Sequence, residues 1–352
     1  MKLLLSTLLY SAYPYTYVSI YRHTCITLAK LVMSNSIEKA CLGAEELPKA
    51  CLDAEELPKA CLWETMHVIR WGGFWFPAEV VKPAMTFRSS FTARNDDVSL
   101  ASSMKTGTTW LKSLALSCIL SPDDGADDLL AADSPHILVP SVEAVVFNRK
   151  RLKFDIYDAS APRLIHTHIP YSLLPDSIKS SSSSTKIVYI ARNPKDTLIS
   201  WWHFLKSNSR SIPLEKAFDA FSSGVCNYGS FFDHVAEYWI ESRKRPEKIL
   251  FLKNEELKSN PKAQISKMAE FLGKPIGSED EVEKIIWRCS LERMKNLEVN
   301  KSGRTFVPVS NDSFFRKGEV GDWKNYLTPE MAERIDQLSR DRLRVKSSKK
   351  EP

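Results

Sequence analysis

The chain has 352 residues, 43% hydrophobic and 26% charged, which describes a soluble globular protein with a sizeable core in one large domain or two smaller ones. Its net charge of +6 suits an anionic ligand, but no dense Lys/Arg stripe interleaved with aromatics is present, which argues against a nucleic-acid partner. The seven cysteines form no Cys-x-x-Cys pair and no Cys/His metal spacing, so a reduced, cytoplasmic compartment fits best.

Residues 1–33 carry Leu3-Leu4-Leu5 and Leu8-Leu9 after a single lysine, the pattern of a signal peptide or anchor. Pro14 and the Tyr, Ser and Thr residues through Tyr21 interrupt that run. It falls short of the roughly 20 apolar residues that span a bilayer, so no membrane partner is expected. A direct repeat follows: Ala44-Glu45-Glu46-Leu47-Pro48-Lys49-Ala50-Cys51-Leu52 returns as Ala54-Glu55-Glu56-Leu57-Pro58-Lys59-Ala60-Cys61-Leu62. Two copies are too few for a solenoid, and the proline in each breaks any long helix. Residues 1–70 therefore read as an amino-terminal extension outside the fold, and the duplication as surface chain without chemistry.

From Trp71-Gly72-Gly73-Phe74-Trp75 onward, apolar strand candidates alternate with helical stretches, which predicts a single α/β domain over 71–345 and a short tail at 346–352. The expected architecture is a mostly parallel central sheet flanked by helices. The strands are placed at Val98–Ser102, Arg163–Ile169, Lys186–Ala191 and Lys248–Lys253. Trp110, Leu111, Leu114, Ala115 and Cys118 share one face of a helix after the first strand. Ser180–Thr185 reads as a mobile surface loop, and Arg340–Lys346 as a solvated, frayed end.

Two segments read as anion sites. Lys105-Thr106-Gly107-Thr108-Thr109-Trp110 follows the strand at Val98–Ser102, and Arg316-Lys317-Gly318-Glu319-Val320-Gly321-Asp322-Trp323 lies near the other end. A Gly-bearing turn between a buried strand and a helix aims free N–H groups at an anion, and a lysine ammonium adds to the pull. Two such segments imply a ligand with two separate anionic groups. The first lacks the Gly-x-x-x-x-Gly-Lys spacing of an ATP-type loop, which weakens a nucleotide-kinase reading.

With Ser134-Pro135-His136-Ile137-Leu138-Val139-Pro140, Thr167-His168-Ile169-Pro170-Tyr171, Ile190-Ala191-Arg192-Asn193-Pro194-Lys195-Asp196 and Asn296-Leu297-Glu298-Val299-Asn300-Lys301, these segments stand in an order that resembles the plant soluble sulfotransferases. The resemblance runs from about Phe74 to Glu333. It implies 3′-phosphoadenosine 5′-phosphosulfate (PAPS) as co-substrate, no metal, and a phosphosulfate-binding strand-loop-helix. Lys105 should reach the phosphosulfate, with Thr106, Gly107, Thr108 and Thr109 assisting. Arg192, Ser200, Arg316, Lys317 and Gly318 should hold the 3′-phosphate. An ion pair between Arg192 and Asp196 is the alternative reading of that arginine.

The adenine is expected against Trp110, with Asn254, Cys289 and Leu291 beside it. Asn254 stands where the family usually has tyrosine, Leu291 where it has phenylalanine, and Met104 where a proline precedes the lysine. Each lost aromatic removes about 1 kcal/mol of stacking, so donor affinity, rather than reaction type, is in question.

The resemblance makes His168 the general base, since a neutral imidazole suits proton abstraction at cytosolic pH. Lys105 would stabilise charge on the leaving oxygen. A hydrogen-bonded core histidine is the alternative for His168. His166 shares its strand face, so metal ligation is conceivable, but no third ligand stands at a convincing spacing.

Phe91, Phe147, Tyr171, Trp201, Trp202, His203 and Phe204 are the candidates for an apolar acceptor cleft, which the family relationship directs toward a small hydroxylated molecule such as a flavonoid-like phenol. Lys324-x-x-x-Thr328-Pro329-x-x-x-Glu333 resembles the family's dimerisation motif with proline in place of valine, so a monomer, or at most a weak homodimer, is expected. A degenerate relative that binds nucleotide without turnover remains the alternative function.

Overall fold

The structure is a computed structural model that describes residues 56–63, 66–120, 126–147, 162–207, 212–303 and 309–348. The apolar start and the first copy of the duplication lie outside the described residues. The described residues belong to one compact unit, Asp53–Pro352.

Three short strands, β1 (Lys59–Leu62), β2 (Met66–Trp71) and β3 (Phe74–Pro77), form an antiparallel sheet in that order. Gly72 and Gly73 join β2 to β3 with φ of +57° and +90°, the paired left-handed conformations of a two-residue hairpin turn. β1 belongs to the second copy of the duplication, and Lys59 pairs with Ile69 and Cys61 with His67. The segment read as surface extension thus supplies an edge strand, and the sheet begins upstream of the boundary expected at residue 71.

The central sheet contains β4 (Val98–Ser102), β5 (Leu164–Thr167), β6 (Lys186–Ala191) and β7 (Ile249–Lys253), all parallel in the order β5-β4-β6-β7. It is the α/β architecture expected from the alternating pattern. On one face, Leu100, Val188, Ile190, Leu250 and Leu252 pack with residues of the helices Thr108–Ile119, Pro261–Phe271 and Glu279–Arg288. On the other, the Tyr189 ring stacks on Tyr238 of the helix Phe231–Lys244 at 4.2 Å. A second core joins Met66 and Val68 to Leu198, Trp201 and Leu205 of the helix Pro194–Ser207.

After β4 the chain forms β5 on one side of it and then β6 on the other. Such a switch of direction opens a crevice at the carboxyl ends of the strands, where ligands bind in open α/β sheets. Lys105, His168, Arg192 and Asn254 follow β4, β5, β6 and β7 respectively, so each strand delivers one candidate residue to that edge.

The opposite end of the sheet is fastened by an ion pair. Arg163 donates from Nε and Nη2 to the two Asp97 oxygens at 2.6 and 2.5 Å, with both side chains essentially inaccessible. Asp97 also accepts the Arg94 amide at 2.7 Å. Asp97→Ala would take the carboxylate from a buried guanidinium that keeps its bond to the Thr92 carbonyl, and is expected to cost about 3–5 kcal/mol in a urea denaturation series at pH 7.

Two surface expectations differ from the structure. The Ser-rich connection is tied down, because Lys248 Nζ donates to the Ser180 and Ser183 carbonyls at 2.8 and 2.7 Å. The Arg340–Lys346 run, read as a frayed end, belongs to the helix Pro329–Ser348. Pro329 opens that helix, where its missing N–H costs no intrahelical bond.

Candidate active site

The turn after β4 uses two left-handed residues, Lys105 at φ +65° and Gly107 at φ +118°. Gly107 caps the helix Thr108–Ile119, so the loop presents Lys105 and a helix amino-terminus together. Thr106 is buried and donates from Oγ1 to the Ser103 carbonyl at 2.9 Å. Asn254 packs against this turn, with Nδ2 donating to the Thr106 carbonyl at 3.3 Å. A Cβ on Gly107 would lie 2.7 Å from Asn254 Nδ2 and 3.1 Å from Ile190 Cδ1. Gly107→Ala therefore combines a disfavoured φ with a clash. We expect a loss of about 1–3 kcal/mol in chemical denaturation.

The second segment is organised by Asp322, which is almost inaccessible. It accepts Arg316 Nη1 at 2.6 Å and Lys317 Nζ at 2.8 Å. Burial alone would raise the Asp322 carboxyl, but the hydrogen bonds from Lys317 and Arg316 hold it at about 2. Arg192 donates from Nη2 to the Glu319 carbonyl at 2.7 Å. Asp196, the alternative partner for Arg192, instead accepts the Gly321 and Trp323 amides at 2.7 and 3.0 Å. Gly318 is left-handed at φ +63°, and a Cβ there would meet Leu291 Cδ2 at 2.7 Å. Asn254 and Leu291 thus each press on one of the two glycine turns.

A cleft of about 610 Å³ joins the two segments. Its lining includes Lys105, Gly107, Thr108, Thr109, Trp110, His168, Arg192, Ser200, Asn254, Cys289, Leu291, Arg316 and Gly318. Residues from most of the sequence therefore converge on one space. Thr106 and Lys317 are not part of the lining; one is buried in its turn and the other is turned to Asp322. Lys258 Nζ lies 5.4 Å from the Trp110 ring centre, and Cys289 Sγ is 3.4 Å from Ser117 Oγ.

Residues 95–347 match the sulfotransferase domain family. The chain belongs to that family. It is 42% identical to cytosolic sulfotransferase 5 of Arabidopsis thaliana over 287 residues, covering 78% of this chain and 88% of the relative. Cytosolic sulfotransferase 6 of the same plant is 40% identical over 294 residues, with 79% and 88% coverage. A mouse sulfotransferase crystallised with PAP superposes with a TM-score of 0.64 at 28% identity, over 79% of this chain and 94% of that one.

In this sulfotransferase, His168 is fixed at the mouth of β5. Its Nδ1 lies 2.8 Å from the Ser102 carbonyl, so Nδ1 carries the proton and Nε2 the lone pair. Its backbone is clamped from both sides. The His168 N–H donates to Glu143 Oε1 at 2.8 Å, and its carbonyl accepts from His234 Nε2 at 2.9 Å. Burial pushes His168 down to about 3, against the pull of its bond to Ser102, so the ring is neutral at pH 7.

His166 behaves differently. It is fully inaccessible and is hydrogen-bonded through both ring nitrogens, to Ser102 Oγ and Ser141 Oγ at 2.9 Å each. Both nitrogens are thus engaged within the protein, and among the described residues no cluster of His, Cys, Asp and Glu is placed to hold a metal ion.

Two of the seven residues expected to form an apolar cleft line this one. His203 and Phe204 line the cleft, joined there by Phe314, which the sequence reading missed. Phe91 and Phe147 pack around Phe87, Tyr171 stands edge-on to Tyr238, Trp201 lies against Trp63, and Trp202 against Tyr326. Helical spacing separates the two groups. Ser200, His203, Phe204 and Ser207 face the cleft at i, i+3, i+4 and i+7, whereas Leu198, Trp201 and Leu205 face the core. Also unforeseen were His136, which lines the cleft, and the buried Lys112, Glu143 and His234 behind it.

Proposed function

We propose that this protein transfers the sulfuryl group of PAPS to a hydroxyl of a small acceptor, with His168 as general base. The observation that carries the reading is the oriented His168 facing the same cleft as Lys105, between two glycine-bounded cationic turns. The residues fit a ligand with an anion at each end. The buried Nε of Arg192 has no hydrogen-bond partner among the described residues, as befits a donor meant for such a ligand.

PAPS, when bound, supplies the sulfuryl group and a phosphate leaving group. Lys105, Thr108 and Thr109 bind that end, and Lys105 neutralises charge that grows in the transition state. Arg192, Ser200, Arg316 and Gly318 hold the 3′-phosphate, with Lys317 drawn instead onto the Asp322 carboxylate that it shares with Arg316, and Trp110, Asn254, Cys289 and Leu291 surround the adenine. His168 takes the acceptor proton at Nε2. The aromatic wall of Phe204 and Phe314 favours a flat, flavonoid-like phenol as acceptor. The cytosolic names of the relatives support a cytoplasmic protein, and Pro329 in the dimerisation motif supports a monomer.

The second reading, a nucleotide-binding relative without turnover, draws on Asn254 and Leu291, which remove two aromatic surfaces from the adenine side. Transfer of labelled sulfate from PAPS to a panel of plant phenols, steroids and desulfoglucosinolates separates the two. We expect product with the phenols. Micromolar PAP binding without any product would favour the second reading, and absence of PAP binding would overturn the donor assignment.

A further inference from the structure

Lys112 is fully inaccessible in the helix Thr108–Ile119, and no ion pair to it forms among the described residues. Its Nζ lies 3.3 Å from both His136 Nδ1 and Ser141 Oγ. Burial pulls this amine down to about 7 against the attraction of Glu143, so at pH 6 it is largely the ammonium, which has hydrogens and no lone pair and donates to both. Two chains of hydrogen bonds then acquire a fixed direction.

In the shorter chain, His136 accepts at Nδ1 and must carry its proton on Nε2. That nitrogen is 2.9 Å from Thr109 Oγ1, which therefore accepts and keeps its own O–H free. In the longer chain, Ser141 accepts from Lys112, and His166 Nδ1 at 2.9 Å is the one acceptor described for its buried proton, so Ser141 donates there rather than leave that proton unpaired. His166 then donates from Nε2 to Ser102 Oγ, also at 2.9 Å. The Ser102 hydroxyl has two neighbours, Thr108 Oγ1 at 2.8 Å and His168 Nδ1 at 3.5 Å. His168 Nδ1 already donates to the Ser102 carbonyl and cannot accept, so Ser102 donates to Thr108. Thr108 likewise keeps its O–H free. Both threonines line the cleft beside Lys105.

We propose that Lys112 is a positioning residue for the phosphosulfate, which turns the Thr108 and Thr109 hydroxyl protons toward the donor anion through two relays of buried side chains. This rests on the proposed function above. Without the ammonium, His136 is free to take the other tautomer and draw the Thr109 proton to itself. The Lys112 stem fills the core whatever its charge, so core packing alone predicts a stability effect without any dependence on the two threonines.

The test uses the full chain at pH 6, where Lys112 is largely charged, with PAP as the calorimetric probe. Lys112→Met is expected to weaken PAP binding about 10-fold or more. In a Thr108→Val/Thr109→Val background the same change is expected to cost less than about 2-fold, since the hydroxyls it orients are gone. Should Lys112→Met fail to fold, Ser141→Ala and His136→Leu each cut one relay. The effect of Ser141→Ala should vanish with Thr108→Val and persist with Thr109→Val, and His136→Leu should show the reverse. Nitrogen-15 spectra of wild-type protein should show His136 and His166 protonated on Nε2 alone. Equal losses in every background, or a proton on Nδ1 of His136, overturn the inference while wild-type PAP binding leaves the functional reading standing. Wild-type protein that does not bind PAP overturns both.

Discussion

His168→Ala is expected to lower kcat by about 10²–10⁴-fold while PAP affinity changes little. The asymmetry follows from the geometry. The ring reaches the cleft but spends Nδ1 on the Ser102 carbonyl, and the proposed anion sites lie elsewhere, on the β4 turn, after β6 and around Arg316. The main-chain groups of residue 168 stay clamped by Glu143 and His234, so the backbone should keep its path. The ring also contacts Tyr228 at 5.0 Å and His166 at 4.5 Å between centres, and its removal should cost about 1–2 kcal/mol of stability. Single-turnover rates with saturating PAPS, beside PAP calorimetry, separate these effects. A variant that loses PAP binding as steeply as rate would make His168 a structural residue, and one with wild-type rate would place the base elsewhere.

β6 and β7 were legible because each is a buried apolar run bounded by polar chain, whereas β4 and β5 carry buried Ser, His and Thr; β4 and β6 begin and end where the sequence places them. β1 was hidden by its own origin. Lys59–Leu62 sits in a duplicated segment with a proline just before it, and nothing local distinguishes the copy that pairs with β2. The two glycine turns were legible because glycine acts there through local backbone geometry. The supporting network was not. Ser102 meets His166 across 64 positions because β4 and β5 pair in parallel with Leu100 opposite His166, and Ser141 reaches the same ring through a bridge beyond β5. Such contacts are set by strand register, which composition and spacing do not reveal. The aromatic side of the cleft lay between these cases. The i, i+3, i+4, i+7 spacing of Ser200, His203, Phe204 and Ser207 was present in the sequence, but only the buried position of Trp201 shows which face looks inward.

The second large effect concerns Lys105 and pH. Burial, followed by the charges of Arg192 and Arg316, pulls Lys105 down to about 7. Its Nζ lies 4.2 Å from the Phe204 ring centre and 5.5 Å from that of Phe314, contacts far weaker than a paired carboxylate. Above pH 7 the free protein therefore holds this amine largely neutral. A bound phosphate restores the charged form by direct attraction, so the complex binds more protons than its parts. PAP affinity should accordingly fall as pH rises past 7, approaching about tenfold per unit, until the complex itself loses the proton. Calorimetry at pH 8 in two buffers of different ionisation enthalpy should show uptake of close to one proton at this site, removed by Lys105→Met. The same variant should lower kcat by about 10²–10³-fold if the lost charge is the one proposed to meet the leaving oxygen. Phosphate protonation near its second pKa of about 6 weakens the ligand from the acid side, which sets the affinity maximum between the two. An affinity independent of pH from 7 to 9, with no uptake in either buffer, would mean that Lys105 is already charged in the free protein and contributes a fixed field instead of one switched on by the donor.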